Sequence, residues 1–125
     1  EVIEIENKPF EIKGVTFTPI EAYHYRLPVF GYRIGDFTYL TDTNFISEEE
    51  QEKIKGSKVI VLNGLQKEHH LSHYTFQEAV DLLKKWKPEK AYLTHISHKL
   101  GLHHEIEKEL PDFIRLSYDG LQVQI

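Results

Sequence analysis

The stretch AYLTHISHKLGLHHE, residues 91–105, carries four of the chain's eight histidines directly behind a short apolar run. Imidazole at that density suits metal ligation or proton transfer. The plain alternative is a polar loop leading into an exposed helix. Three residues of the right type share a placement along the chain. His24 follows a β-like run ending near Ile20, Asp42 closes Thr38-Tyr39-Leu40, and His95 closes Ala91-Tyr92-Leu93. Ligands gather at strand ends in open α/β sheets because the sheet fixes several loops along one edge. Histidine with aspartate suits zinc, manganese or iron. Each residue also has an ordinary explanation. Asp42, in Thr-Asp-Thr-Asn, could bond neighbouring backbone amides, and His24 could pack between Tyr23 and Tyr25.

The elements that would position these residues are legible in outline. Val2 to Ile5 alternates like a strand, and Phe10–Ile12 with Val15–Ile20 reads as a strand pair around Lys13-Gly14. Residues 23–28 read as a loop. Tyr32 to Leu40 reads as a hairpin turning at Gly35-Asp36. Ser47 with Glu50, and Thr75 with Glu78, form capping boxes that open helices ending at Gly56 and before Pro88. Val59-Ile60-Val61-Leu62 is a short strand expected to be buried on both faces. A strand over residues 90–94, a short helix over 102–110, and a hairpin around Asp119-Gly120 complete the chain. The order, strand-rich first and then β-α-β-α-β, makes the class α/β or α+β with a layered sheet.

Length and composition narrow the function further. A chain of 125 residues is a single domain, 1–125, and 40% apolar residues can form a core. The net charge of −5, with no lysine or arginine block, argues against a nucleic-acid partner. The chain has no cysteine, which excludes disulfides and thiolate sites and fits a cytoplasmic protein. No apolar run is long enough for a membrane span, so no membrane association is expected.

Gly31-Tyr32-Arg33-Ile34 with Tyr39-Leu40-Thr41-Asp42-Thr43, then Leu71-Ser72-His73-Tyr74-Thr75, then Leu93-Thr94-His95-Ile96-Ser97-His98, form an ordered set. It resembles the C-terminal half of a metallo-β-lactamase-fold hydrolase, nearest the PhnP-like phosphodiesterases and the ribonuclease Z group. The resemblance covers residues 14–122. It implies half of an αββα sandwich holding two divalent metal ions, Zn or Mn, between its sheets. Carried over, His24 and His95 are terminal metal ligands, Asp42 is the shared one, and His73 is the general acid. A metal-bridging hydroxide would attack phosphorus in a small phosphodiester or cyclic phosphate.

The family's His-x-His-x-Asp-His signature is absent. The expectation is therefore a partial domain with three of seven ligands, partial or no metal occupancy, and little activity without an upstream half. By proximity, His98 and His70 are expected behind the ligands or facing substrate. His103 and His104 are expected on a helix surface or in its first turn, and Arg26 and Arg33 in solvent or on a carboxylate rather than on a phosphate. An uncovered core face should favour self-association or pairing with the missing half. Two other readings stay open: a metal-free remnant or interaction module, and a hydrolase of a different ester in the same fold.

Overall fold

The computed structural model describes all 125 residues. Seven strands form one sheet whose spatial order is their sequence order. They are β1 (Phe10–Ile12), β2 (Val15–His24), β3 (Leu27–Ile34), β4 (Phe37–Leu40), β5 (Val59–Asn63), β6 (Lys90–Thr94) and β7 (Ile114–Leu116). The first four pair antiparallel, and β4 to β7 pair parallel. Parallel neighbours need crossovers, which α1 (Glu48–Glu52), α2 (Phe76–Trp86) and the region of α3 (His103–Ile106) supply.

One face of the sheet is a dry core. Ile20, Leu40, Ile60, Leu62, Leu93 and Ile114 are fully buried against Ala79 and Leu83 of α2, Ile54 beyond α1 and Ile106 of α3. Period-two alternation dictates the other face. Tyr32 pairs with Tyr39, Tyr39 with Val61, and Val61 with Tyr92, so the register lays one apolar row across four strands. Tyr39 is 42% exposed. The β5 run is therefore buried on the helix side and only partly on the other, where Val61 is half-buried. No helix is long and apolar enough to cross a membrane.

Three sequence expectations change. Residues 1–6 form no strand, and Val2 is fully exposed, because alternation without a pairing partner is not a strand. Residues 23–28 are not an open loop: β2 runs to His24 and pairs with Leu27, turning at Tyr25 in the left-handed region (φ 60°). The C-terminal hairpin has only its first arm, because Ile114–Leu116 pairs with β6 instead. Residues 121–125 stay unpaired, with Leu121 and Val123 half-buried.

The two capping boxes also differ. At α2 both halves form, Thr75 Oγ1 accepting from Glu78 N–H and the Glu78 carboxylate from Thr75 N–H. At α1 Ser47 accepts from Glu50 N–H, but the Glu50 carboxylate turns away. It accepts from Glu21 N–H at 2.7 Å, from Asn7 Nδ2 at 3.1 Å and from Lys53 Nζ at 2.8 Å. Burial raises the Glu50 carboxyl value, but these donors outweigh it and hold it below the ordinary glutamate value.

A carboxyl lowered on folding stabilises the fold above its ordinary value, and that contribution fades as pH falls through the lowered one. Glu50→Ala should therefore cost about 1–3 kcal/mol at pH 7, with a smaller difference near pH 3, measured by thermal unfolding at both. An equal difference at the two pH values would show that Glu50 acts through packing instead.

Candidate metal centre

The site lies at the sheet edge where β2, β4 and β6 end. His24 is the last residue of β2, Asp42 lies two residues past β4, and His95 follows β6 directly. Asp42 (φ 56°) and His95 (φ 55°) are two of only five non-glycine residues in the left-handed region. That region costs an ordinary residue about 1–2 kcal/mol and is entered most readily by polar side chains such as these. Each strand reverses sharply there, so both side chains sit at the edge.

A buried lattice fixes Asp42 from behind. Asn63, fully buried at the end of β5, donates from Nδ2 to Thr43 O at 2.9 Å and accepts Thr43 N–H at 3.1 Å. The Thr43 hydroxyl donates to Tyr23 O at 3.0 Å, tying the loop to the β2 end beside His24. Tyr74 N–H donates to Thr43 O at 2.9 Å, which docks the loop before α2 onto the same point. Sequence reading missed Asn63 and Thr43. An asparagine ending an otherwise apolar strand is the one signal that could have marked them.

The ligating atoms of His24, Asp42 and His73 all lie within 4.8 Å of one another. His73 Nε2 is 3.2 Å from Asp42 Oδ1, and His95 Nε2 is 3.6 Å from the same oxygen. The His73 ring meets His24 edge to face at 4.8 Å and stacks on His95 at 4.6 Å. The three strand-end residues therefore converge, with His73 among them. Asp42 takes Thr41 Oγ1 and His73 as hydrogen-bond partners, not the neighbouring amides.

The other expectations divide. His70 reaches the cluster, its ring 5.0 Å from that of His73. His98 is exposed at the start of a short 3-10 turn and has no contact with it. His103 pairs with Glu107 at 3.5 Å on a helix surface. Arg33 is neither solvated nor on a carboxylate: its Nη1 caps the carbonyl of Lys53 at 2.9 Å, because a helix end leaves such acceptors free. Arg26 stacks over Tyr25 at 5.0 Å.

Electrostatics match the geometry. Burial raises the Asp42 carboxyl value, but the His73 hydrogen bond and the His95 and His73 charges outweigh it, leaving it below the ordinary range. Burial lowers the His73 imidazole, against the opposing pull of Asp42. An ionised carboxylate at Asp42 is the form that a divalent cation requires. The donor set is borderline in softness, suits zinc or manganese, and sits half-exposed at an edge, so it fits such an ion. A cavity of about 470 Å³ opens beside it, running from Thr94 and His95 along Tyr39, Val61 and Tyr92 to Leu121 and Val123.

Comparison with known proteins agrees with this architecture. The family model described as "Beta-lactamase superfamily domain" matches residues 1–96. The crystal structure of a new diphosphatase from the PhnP family superposes on the whole chain with a TM-score of 0.97 and 33% identity, covering 49% of that chain. The metallo-β-lactamase fold protein YhfI from Bacillus subtilis shares the fold over 95% of this chain and 54% of its own (TM-score 0.79, 17% identity). The short form of human tRNase Z does so over 93% and 45% (TM-score 0.69, 16% identity). An octanoyltransferase of Porphyromonas gingivalis is 37% identical over 118 residues, 94% of this chain. The chain spans only 24% of that relative. With a family match over most of its length and a near-identical fold in a PhnP-family enzyme, the chain belongs to the beta-lactamase superfamily domain family, and its sheet and helices are half of a metallo-β-lactamase fold of the PhnP-like branch.

Proposed function

We propose that this chain supplies part of a metal-dependent centre that hydrolyses phosphodiester, cyclic phosphate or related phosphoryl bonds. The carrying observation is the convergence of His24, Asp42, His73 and His95 on one oxygen-centred cluster at a sheet edge. The likeness to a PhnP-family diphosphatase at 33% identity supports the phosphoryl substrate class.

In this reading His24, Asp42 and His95 would hold two divalent ions, Zn or Mn, with Asp42 as the ligand they would have in common. The bound ions would supply Lewis acidity toward phosphoryl oxygens and toward water. The chain's own residues do the rest. Asp42 stays ionised because His73 and His95 face it. His73, buried with Nε2 3.2 Å from Asp42 Oδ1, would act in its imidazolium form, giving one proton to the leaving oxygen as its bond to phosphorus breaks and returning to neutral imidazole.

The test is an assay of the protein with its complete metal centre, with and without chelator, on a bis-aryl phosphate, a cyclic nucleotide and a thioester. Chelator-sensitive cleavage of the phosphoryl compounds is expected. Cleavage of the thioester alone would favour a second reading, an acyl-ester hydrolase, which the likeness to an octanoyltransferase motivates. Neither metal nor turnover would leave an interaction module.

The partner reading rests on the uncovered sheet face. Tyr32, Tyr39, Val61 and Tyr92 form an apolar row with no helix against it, and the PhnP-family diphosphatase carries about as much chain again. Large exposed apolar patches recruit partners. Sedimentation of the isolated chain is expected to show mass rising with concentration. A clean monomer over a wide range, unfolding cooperatively, would mean that the face needs no cover.

A further inference from the structure

His24 lies between two tyrosines that one asparagine holds in different ways. Before it, Tyr23 O accepts Asn44 N–H at 2.9 Å, and Tyr23 N–H donates to Phe45 O at 2.9 Å. After it, Tyr25 N–H donates to the side-chain Oδ1 of Asn44 at 2.9 Å. A regular antiparallel ladder would use Thr43 O for that amide, but Thr43 O already accepts from Asn63 Nδ2 and Tyr74 N–H. The Asn44 side chain stands in for it. Its Nδ2 donates to Leu71 O at 3.2 Å, in the loop that carries His70 and His73.

Both partners are backbone groups, so the amide has one possible orientation: Tyr25 N–H only donates and Leu71 O only accepts. Aspartate would set a second acceptor against Leu71 O. The turn has need of the bond. His24 pairs with Leu27, which leaves Tyr25 and Arg26 as a two-residue hairpin loop, and Tyr25 has φ 60°. Such loops favour glycine, asparagine or aspartate there. A bulky side chain in the left-handed region is an outlier that surrounding bonds must hold. His24 is half-buried, so packing constrains it less than His73, which is buried and whose neighbour Tyr74 is tied to Thr43 O.

We propose that Asn44 is a positioning residue: by holding Tyr25 in its left-handed turn through Oδ1, it keeps His24 turned toward His73 and the candidate centre. Without the amide the Tyr25 backbone relaxes to an ordinary conformation, and the end of β2 carries His24 away from the cluster. Glycine enters the left-handed region without steric cost, so Tyr25→Gly removes the need for the bond. The consequence for metal rests on the reading of His24 as a ligand, but the placement of His24 does not.

The test is nuclear Overhauser spectroscopy on ¹³C-histidine-labelled protein with its complete centre, stripped of metal by chelator, with Zn²⁺ titrated afterwards. His24 and His73 are assigned by the signals lost in His24→Gln and His73→Gln. Wild type is expected to show ring-to-ring cross-peaks between them, as their edge-to-face contact at 4.8 Å requires, and a slowly exchanging Tyr25 amide. Asn44→Ala should lose the cross-peaks, expose that amide to exchange and bind Zn²⁺ about tenfold more weakly. Asn44→Ala with Tyr25→Gly should recover both the cross-peaks and the affinity, which a merely structural role for Asn44 would not do. Should Asn44→Ala fail to fold, Asn44→Leu keeps the volume without the amide and reads the same change. A wild type without the cross-peaks, a folded Asn44→Ala or Asn44→Leu protein that keeps them, or a double variant that does not recover them would overturn the positioning role. Cross-peaks lost while Zn²⁺ affinity stays the same would support the role of Asn44 and remove His24 from the centre.

Discussion

In the protein with its complete metal centre, Asp42→Asn should abolish stable metal binding and lower turnover about 1000-fold or more, while leaving the fold intact. The size follows from the several kcal/mol that bound cations contribute to stabilising transition-state charge, at about 1.4 kcal/mol per tenfold in rate. Asp42 is the common point of the cluster, with both His73 and His95 on its Oδ1. Asparagine has the same shape but no charge to hold a divalent ion. The fold should survive because asparagine tolerates the left-handed backbone that Asp42 adopts. The lattice behind the loop also uses Thr43 and Asn63, not the Asp42 side chain. Metal analysis beside far-UV circular dichroism and steady-state kinetics reads all three quantities. Full metal content with near-normal turnover would remove Asp42 from the centre.

His73→Ala should separate proton transfer from ligation. As a proton donor His73 is worth about 100-fold or more for a poor leaving group. The loss should shrink with a nitrophenolate, which leaves without a proton. Metal content should hardly change. The geometry gives this test its force, because the donor atom of His73 lies with those of His24 and Asp42 inside 4.8 Å, close enough for ligation. If His73→Ala loses its metal in step with its activity, equally for both leaving groups, His73 is a ligand and the roles of the histidines must be redrawn.

What the sequence made legible was what local chemistry determines. The α2 helix was readable because Thr75, Glu78 and the spacing of Phe76, Ala79, Val80, Leu83 and Trp86 act within one element. The strand-end placement of Asp42 and His95 was readable for the same reason. Distant partners decided what was misread. Val2 to Ile5 and Leu121 to Ile125 alternate as strands do, yet no strand pairs with them here. The Glu50 carboxylate left its capping box for Glu21 N–H, 29 residues away. Asn63 and Thr43 hold the site through bonds spanning 20 residues. The resemblance to metallo-β-lactamase-fold enzymes bridged part of that distance, since it brought His24, Asp42, His73 and His95 together before any contact was known.

The central claim is that His24, Asp42 and His95 hold divalent ions with Asp42 between them. Anomalous diffraction from crystals of the protein with its complete centre, grown with Mn²⁺, tests it most directly. The account predicts two peaks, both within coordination distance of Asp42, one also bonded to His24 and the other to His95, with His73 outside both coordination spheres. Peaks elsewhere, or none at Asp42 with the protein folded and the ion in excess, would contradict it.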